Sequence, residues 1–269
     1  MYRAHDTIQN IKVALKIPKH DETLGHDEIL HEVRVATKLQ HPNILSVLNA
    51  SYIDDYFVIA MGLGEEALGD RIERRTSTAI KLDLASQGLA ALAHAHEHKI
   101  IHCDIKPENF ILFPGNRLKL ADFGFAKRCV RTLKASGSGT IDYIAPEQAM
   151  GRPKFQSDVF SMGLVLYRMF SGKLPEWPFE WPLVGYDKLK ARVRPELIDV
   201  LKKSIQLDPK KRYKDAVAMY ADFERVTSSA RKQKKPRARN GSRRSPSWQQ
   251  MQWREFQRRF KAQLDTRHH

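Results

Sequence analysis

Hydrophobic and polar residues alternate with a period of two near the start of the chain, over residues 11–17. This pattern is typical of a half-buried strand, and Pro18 ends it. Residues 27–39 have the spacing of an amphipathic helix, and residues 46–52 and 56–61 resemble the two arms of a hairpin. The first part of the chain therefore predicts a small antiparallel sheet with one helix.

The pattern becomes mainly helical from about residue 68 to 226. Residues 82–98 predict one long amphipathic helix, and residues 159–170 are apolar on nearly every side, which predicts a buried central helix. The fold class predicted is α+β with two lobes: a small antiparallel sheet lobe at about 1–63 and a larger helical lobe at about 64–227. No apolar run reaches about 18 residues, so we expect no membrane-spanning helix.

The chain ends in a basic tail. Residues 228–269 hold 13 Lys and Arg against two acids, so they carry +11 of the formal charge of +15. Residues 228–247 have almost no apolar side chain and predict a basic disordered linker, whereas 248–269 recover the spacing of a basic amphipathic helix. Such a tail suits a partner protein, nucleic acid or an anionic membrane, and the sequence leaves these open.

Composition narrows the class of protein. The chain is 42% hydrophobic and 29% charged, which is ordinary for a globular protein and argues against wholesale disorder. It has only two cysteines, Cys103 and Cys129, too few for a disulfide framework. Its first residues do not resemble a signal peptide. We therefore expect a cytoplasmic location.

Polar residues cluster between the long helix and two short predicted strands. Asp104, Lys106 and Asn109 precede a strand at 110–113, and Asp122 follows a strand at 118–121. Carboxylate and amide oxygens suit Mg²⁺, with phosphate and water completing its shell. A cation beside them could neutralise a transferring phosphoryl group. Taken singly, each residue also fits an ordinary polar turn.

A lysine and a glutamate in the first lobe form a second candidate pair. Lys16 shares a strand face with Ala14, and Glu32 lies on the apolar face of the predicted helix. An unpaired buried carboxylate is costly, so Glu32 should have a cationic partner, for which Lys16 is the obvious candidate. The alternatives are a solvated lysine and a glutamate at the margin of the helix face.

Four short motifs follow one another along the chain: Val13-Ala14-Leu15-Lys16, His102-Cys103-Asp104 with Lys106 and Asn109, Asp122-Phe123-Gly124, and Ala145-Pro146-Glu147. In this order and spacing they resemble the protein kinase family over residues 2–223. Asp158 and Arg212 match the two structural anchors of that family. Because Lys106 follows Asp104, which stands at the position of the family's catalytic aspartate, by two residues, the resemblance is to Ser/Thr kinases.

The resemblance implies ATP and Mg²⁺ as cofactors and assigns the reacting groups. Asp104 would orient and deprotonate the substrate hydroxyl, and Lys106 would steady the γ-phosphate. Asn109 and Asp122 would hold Mg²⁺. Lys16 would hold the α- and β-phosphates and pair with Glu32.

The resemblance also places the adenine. Ala14 and Ile111 would lie on its two faces, and Met61 and Leu63 would offer backbone groups at the hinge. An ungapped comparison puts Ala60 at the position that guards the back of the pocket, and a shift of one residue would put Ile59 there.

The expected function is ATP- and Mg²⁺-dependent phosphotransfer to Ser/Thr hydroxyls of a protein substrate. The sequence departs from the family at its start, because Met1 to Asp6 already resembles the second strand and no glycine-rich loop precedes it. One alternative is therefore a pseudokinase scaffold that binds nucleotide weakly. A second is an adaptor that binds nucleic acid or anionic membrane through its basic tail.

Overall fold

The computed structural model describes residues 1–18, 26–54, 56–123 and 141–233. Residues 1–231 form one compact unit. The predicted amphipathic helix at 248–269 and most of the predicted linker lie outside the described residues, as does Gly124. Glu32 lies in a described helix, but its side chain is outside the description.

The first lobe contains a four-stranded antiparallel sheet in the order β1-β2-β4-β3. This confirms the small antiparallel sheet that the alternating sequence pattern predicted. Helix α1 packs on the sheet and buries Val35, and Leu39, directly after the helix, is buried as well. The elements are β1 (Tyr2–Asp6), β2 (Ile11–Lys16), α1 (His26–Lys38), β3 (Val47–Ile53) and β4 (Tyr56–Gly62).

A second sheet of three strands follows, in the order β5-β6-β7. The hairpin of β6 and β7 is the part that bears on the candidate site. Asp104, Lys106 and Asn109 lie just before β6, and Asp122 lies just after β7. The elements here are β5 (Glu66–Ala67), α2 (Leu68–Glu73), α3 (Thr78–Glu97), β6 (Phe110–Phe113) and β7 (Arg117–Leu120).

The chain between α1 and β3 is fastened to this hairpin. The backbone N–H of Leu45 donates to the Leu120 carbonyl over 2.9 Å, and the N–H of Leu120 donates to the Asn43 carbonyl over 2.8 Å. The Asn43 amide also donates to the Leu118 carbonyl over 2.9 Å. These bonds hold the end of β7, and so fix the start of the turn that carries Asp122.

The larger lobe is built around one buried helix, α5. Fourteen of its residues are buried, and Gly172 ends the helix with a φ of 78°. The predicted helix at 159–170 is thus confirmed and extended at its N-terminus. The remaining helices are α4 (Pro146–Ala149), α5 (Phe155–Ser171), α6 (Tyr186–Arg192), α7 (Pro195–Ser204) and α8 (Ala216–Gln233).

Two further observations bear on the domain limits. Helix α8 ends at Gln233, and the predicted boundary at residue 227 stays a prediction. Within the described ranges, no helix has both the length and the apolar character needed to cross a bilayer.

Candidate active site

The residues before β6 form a tightly bonded loop around Asp104. The Asn109 amide donates to Asp104 Oδ2 over 2.9 Å and to the Asp104 backbone carbonyl over 2.7 Å. Lys106 Nζ lies 2.9 Å from the same Asp104 Oδ2. The carboxylate is therefore held by two donors, one of which is cationic.

Asp122 is brought beside this loop by two hydrogen bonds to the backbone of the preceding residue, Ala121. The N–H of Ala121 donates to the Asn109 carbonyl over 2.8 Å, and His102 Nε2 donates to the Ala121 carbonyl over 2.9 Å. Asp122 itself adopts the left-handed region, with a φ of 63°. Lys16 Nζ donates to Asp122 Oδ1 and so joins the first sheet to the hairpin.

A cavity of about 230 Å³ lies at this junction. Its walls are mostly apolar, and its polar lining residues are Lys16, Glu108, Asn109 and Asp122. Its lining residues are Met1, Lys16, Val33, Ala36, Leu45, Val47, Ile59, Met61, Glu108, Asn109, Ile111, Ala121, Asp122 and Phe123.

Five of the predicted site residues line this cavity: Lys16, Met61, Asn109, Ile111 and Asp122. Asp104 and Lys106 are not part of its lining, but they are bonded to it through Asn109.

The other predicted positions have different outcomes. Ala14 is buried on the same strand as Lys16 but does not line the cavity, and Leu63 does not line it either. The pairing predicted between Lys16 and Glu32 involves a side chain outside the described residues, and stays a prediction.

The two positions considered for the guard of the pocket, Ile59 and Ala60, differ in their contact with the cavity. Ile59 is 1% exposed and lines the cavity, whereas Ala60 lines a groove on the opposite face of the sheet. Side chains alternate between the faces of a strand, so a shift of one residue in the comparison moves the guard to the wrong face.

The amino-acid sequence matches the model of a known family over most of its length. A family model described as "Protein kinase domain" matches residues 1–223. The chain belongs to the protein kinase family.

Curated relatives of this kinase are named as kinases. Serine/threonine-protein kinase PrkC of Bacillus subtilis (strain 168) is 30% identical over 243 residues, which cover 83% of this chain and 38% of PrkC. Serine/threonine-protein kinase PknB of Mycolicibacterium smegmatis is 29% identical over 254 residues, covering 84% of this chain and 40% of PknB. An Aurora kinase of Dictyostelium discoideum is 26% identical over 229 residues, covering 79% of this chain and 59% of that protein. The kinase chain thus spans less than two thirds of each of these relatives.

A buried acid holds the catalytic loop of the kinase from behind. Asp158 is 1% exposed and accepts three hydrogen bonds: from the backbone N–H of His102 at 2.7 Å, from the N–H of Cys103 at 2.8 Å, and from His96 Nε2 at 2.9 Å. Asp158 is thus the anchor that the sequence resemblance predicted.

Two residues of this support were missed at the sequence level. His96 lies four residues after Leu92 on the buried face of α3, and a polar residue on that face was the available signal. Gln148 donates to the Cys103 carbonyl over 2.6 Å, and no local pattern predicts that contact.

The second anchor is a buried ion pair. Arg212 Nη1 donates to Glu147 Oε1 over 2.7 Å and to the Gln156 carbonyl over 2.8 Å. Burial of Glu147 raises its pKa, but hydrogen bonds from Arg212 and Ser157 outweigh that effect, so the pKa of Glu147 lies below its usual value. The pair therefore ties the segment at 145–149 to the chain after α7.

Proposed function

We propose that the chain transfers the γ-phosphoryl group of ATP to Ser or Thr hydroxyls of a protein, in a reaction that requires Mg²⁺. The observation that carries the proposal is the Asp104 carboxylate, held by Asn109 and Lys106 next to a cavity that contains Lys16 and Asp122. The names of the relatives, which specify serine/threonine-protein kinases, support the same reaction.

The side chains fit a magnesium ion. Both hydrogen bonds donated by the Asn109 amide go to Asp104, so the Oδ1 atom of Asn109 remains an acceptor. Asp122 adds carboxylate oxygens. Among the described side chains, no three His, Cys, Asp or Glu residues are grouped to hold a metal ion by themselves. Mg²⁺ commonly takes only one or two protein ligands when phosphate oxygens and water supply the rest, so this pair is sufficient.

The remaining residues would then act by position and charge. Asp104 would accept the proton of the substrate hydroxyl, because its carboxylate is fixed near the cavity by two donors. Lys106 and Lys16 would bring positive charge to the transferred group and to the other phosphates. The apolar walls, with Ile111 and Met61, would enclose the adenine. Bound ATP supplies the phosphoryl group, and Mg²⁺ neutralises its charge.

The test is transfer of radiolabel from γ-³²P-ATP to acidic and basic generic protein substrates, with Mg²⁺ or with excess EDTA. We expect label on serine or threonine that disappears with EDTA. Lack of transfer to every substrate in the presence of Mg²⁺ would contradict the proposal.

Replacing Lys16 with Met should lower kcat/KM for ATP by roughly 10- to 100-fold, because hydrogen bonds to charged groups contribute about 1.5–3 kcal/mol. The exposed Lys12 lies on the same strand, and Lys12→Met is the matched control. Equal losses in the two variants would argue against a specific role for Lys16.

Gly64 provides a test of the adenine end of the cavity. A Cβ at this position would lie 2.8 Å from the Leu112 carbonyl oxygen and would overlap the side chain of Ile111, which lines the cavity. We expect Gly64→Ala to raise KM for ATP and to cost about 1–3 kcal/mol of stability. Thermal unfolding and ATP titration measure the two effects.

The control is Gly69→Ala, whose Cβ would meet the flexible end of Glu108 at 3.3 Å and Pro107 Cβ at 3.8 Å, an ordinary van der Waals distance. If Gly64→Ala leaves both KM and stability unchanged, the predicted position of the adenine is wrong.

The alternatives drawn from the sequence gain no support. The relatives are named as kinases, which does not favour a pseudokinase scaffold. Neither the described residues nor the comparisons support a tail that binds nucleic acid, membrane or a partner protein. The cytoplasmic location stays a prediction.

A further inference from the structure

Four elements form a wall beside the proposed catalytic base. Gly69, at the start of α2, faces the carboxylate of Glu108, since a Cβ there would lie 3.3 Å from Glu108 Oε1. Glu73, at the end of α2, accepts a hydrogen bond from Arg168 of α5 over 2.7 Å. Arg168 also donates to the Tyr143 hydroxyl over 2.8 Å.

This wall is rigidly connected to the catalytic loop. Glu108 directly precedes Asn109 and follows Asp104 by four residues. The carbonyl of Tyr143 accepts a hydrogen bond from the Ser161 hydroxyl over 2.6 Å, and Gln148 of the same segment reaches the Cys103 carbonyl. A peptide that presents its hydroxyl to Asp104 would therefore have its neighbouring residues beside Tyr143 and Arg168.

Arg168 is the cation of this wall, and its ion pair is exposed on one side. The Arg168 side chain is 25% exposed and that of Glu73 is 70% exposed. Solvent-exposed ion pairs contribute little to stability, so another carboxylate can replace Glu73 at small cost. Burial raises the pKa of Tyr143, although the hydrogen bond from Arg168 opposes this shift. The Tyr143 hydroxyl thus stays neutral and can keep one side of the guanidinium in place during the exchange.

We infer that Arg168 determines specificity by binding an acidic side chain of the substrate, close in sequence to the phosphorylated residue, in place of Glu73. This inference rests on the proposed function. An arginine is suited to this exchange because its planar guanidinium offers several N–H donors in a fixed geometry.

A purely structural role for the same residues has different consequences. If Arg168 serves only to hold α2 against α5, removing Glu73 weakens that contact and leaves peptide choice unaltered. If Glu73 instead competes with the substrate, Glu73→Gln strengthens the preference for acidic peptides. The effect of this one variant separates the two roles.

The experiment measures kcat/KM for peptides that contain a single serine, with Glu, Gln or Lys placed in turn at each of the five positions on either side. We expect Glu to be preferred over Gln by about 2- to 5-fold at one position, the range of an exposed ion pair. Arg168→Gln should abolish the preference, and Arg168→Glu should reverse it toward Lys. Arg194→Gln is the matched control, because Arg194 forms an exposed pair with Glu196 at the start of α7.

The outcomes are distinct. A preference for Glu that survives in Arg168→Gln overturns the inference, as does activity with no charge preference at all. Should Arg168→Gln fail to fold, as judged by circular dichroism, Glu73→Gln decides the matter, and an unchanged or weaker preference for Glu overturns the inference. Absence of phosphorylation of every peptide and protein overturns the proposed function itself, and this inference with it.

Discussion

Asp104→Asn is expected to lower the phosphotransfer rate by about 10²- to 10⁴-fold, the range that a positioned general base contributes. Asparagine keeps the shape of the side chain and an oxygen that can accept from Asn109 and Lys106, but it cannot take a proton. Asp104 does not line the cavity, so the affinity for nucleotide should stay close to that of the unaltered protein. Single-turnover transfer of radiolabel and titration with a fluorescent ATP analogue measure the two quantities.

The matched control is Asp187→Asn, at an exposed aspartate in the first turn of α6. It should leave transfer unchanged. If Asp104→Asn transfers phosphate as fast as the unaltered protein, Asp104 is not the base. If it instead loses nucleotide affinity and retains the rate, its role lies in binding.

The catalytic loop could be predicted from the sequence because its groups are close along the chain. Asp104, Lys106 and Asn109 lie within six residues, so one tight loop must bring them together whatever the rest of the fold does. The sheet could also be predicted, because the alternation of polar and apolar residues is a local pattern. A local pattern cannot predict a hydrogen bond between residues that are far apart in sequence. The bond from Gln148 to the Cys103 carbonyl, which spans 45 residues, is an example.

The strand residues that line the cavity were harder to predict for a physical reason. On a strand, a displacement of one residue turns the side chain to the opposite face. Ile59 therefore lines the cavity, whereas the adjacent Ala60 lines the groove on the other face of the sheet. A helix is less sensitive, because a displacement of one residue rotates a side chain by about 100° rather than 180°. Sequence comparison thus locates strand residues reliably only when their register is fixed by an independent contact.

Asp158 is the point where stability and activity of this kinase should be lost together. Cys103 adopts a left-handed backbone with a φ of 65°, a conformation that is unfavourable for a residue with a side chain. Its N–H donates to Asp158 and its carbonyl accepts from Gln148, so both backbone polar groups of this strained residue are held by buried side chains. The position of Asp104, the next residue, depends on these bonds.

His96 extends the support to α8. Its Nδ1 accepts a hydrogen bond from the N–H of Ala216 over 2.9 Å, so its hydrogen is on Nε2, where it donates to Asp158. One buried carboxylate therefore satisfies three donors from α3 and the catalytic loop. The imidazole of His96 thus links the Asp158 carboxylate to Ala216, the first residue of α8.

We expect Asp158→Ala to lower the free energy of unfolding by about 3–5 kcal/mol, because each unsatisfied buried donor costs about 1–3 kcal/mol and the costs are only partly additive. Asp158→Asn should lose less, about 1–3 kcal/mol, since its amide keeps one acceptor oxygen but presents an N–H₂ to a second donor. Urea unfolding measures both, with Asp199→Asn, an exposed change on α7, as the control.

The activity of Asp158→Asn carries the further argument. At a temperature where this variant is still folded, kcat should fall while KM for ATP changes little, because the released backbone N–H groups belong to His102 and Cys103, which precede Asp104, rather than to the residues lining the cavity. A variant that is destabilised but retains the full kcat would mean that the loop holds its shape without Asp158. In that case the bonds from Asn109 and Lys106 to Asp104 would be sufficient to position the base.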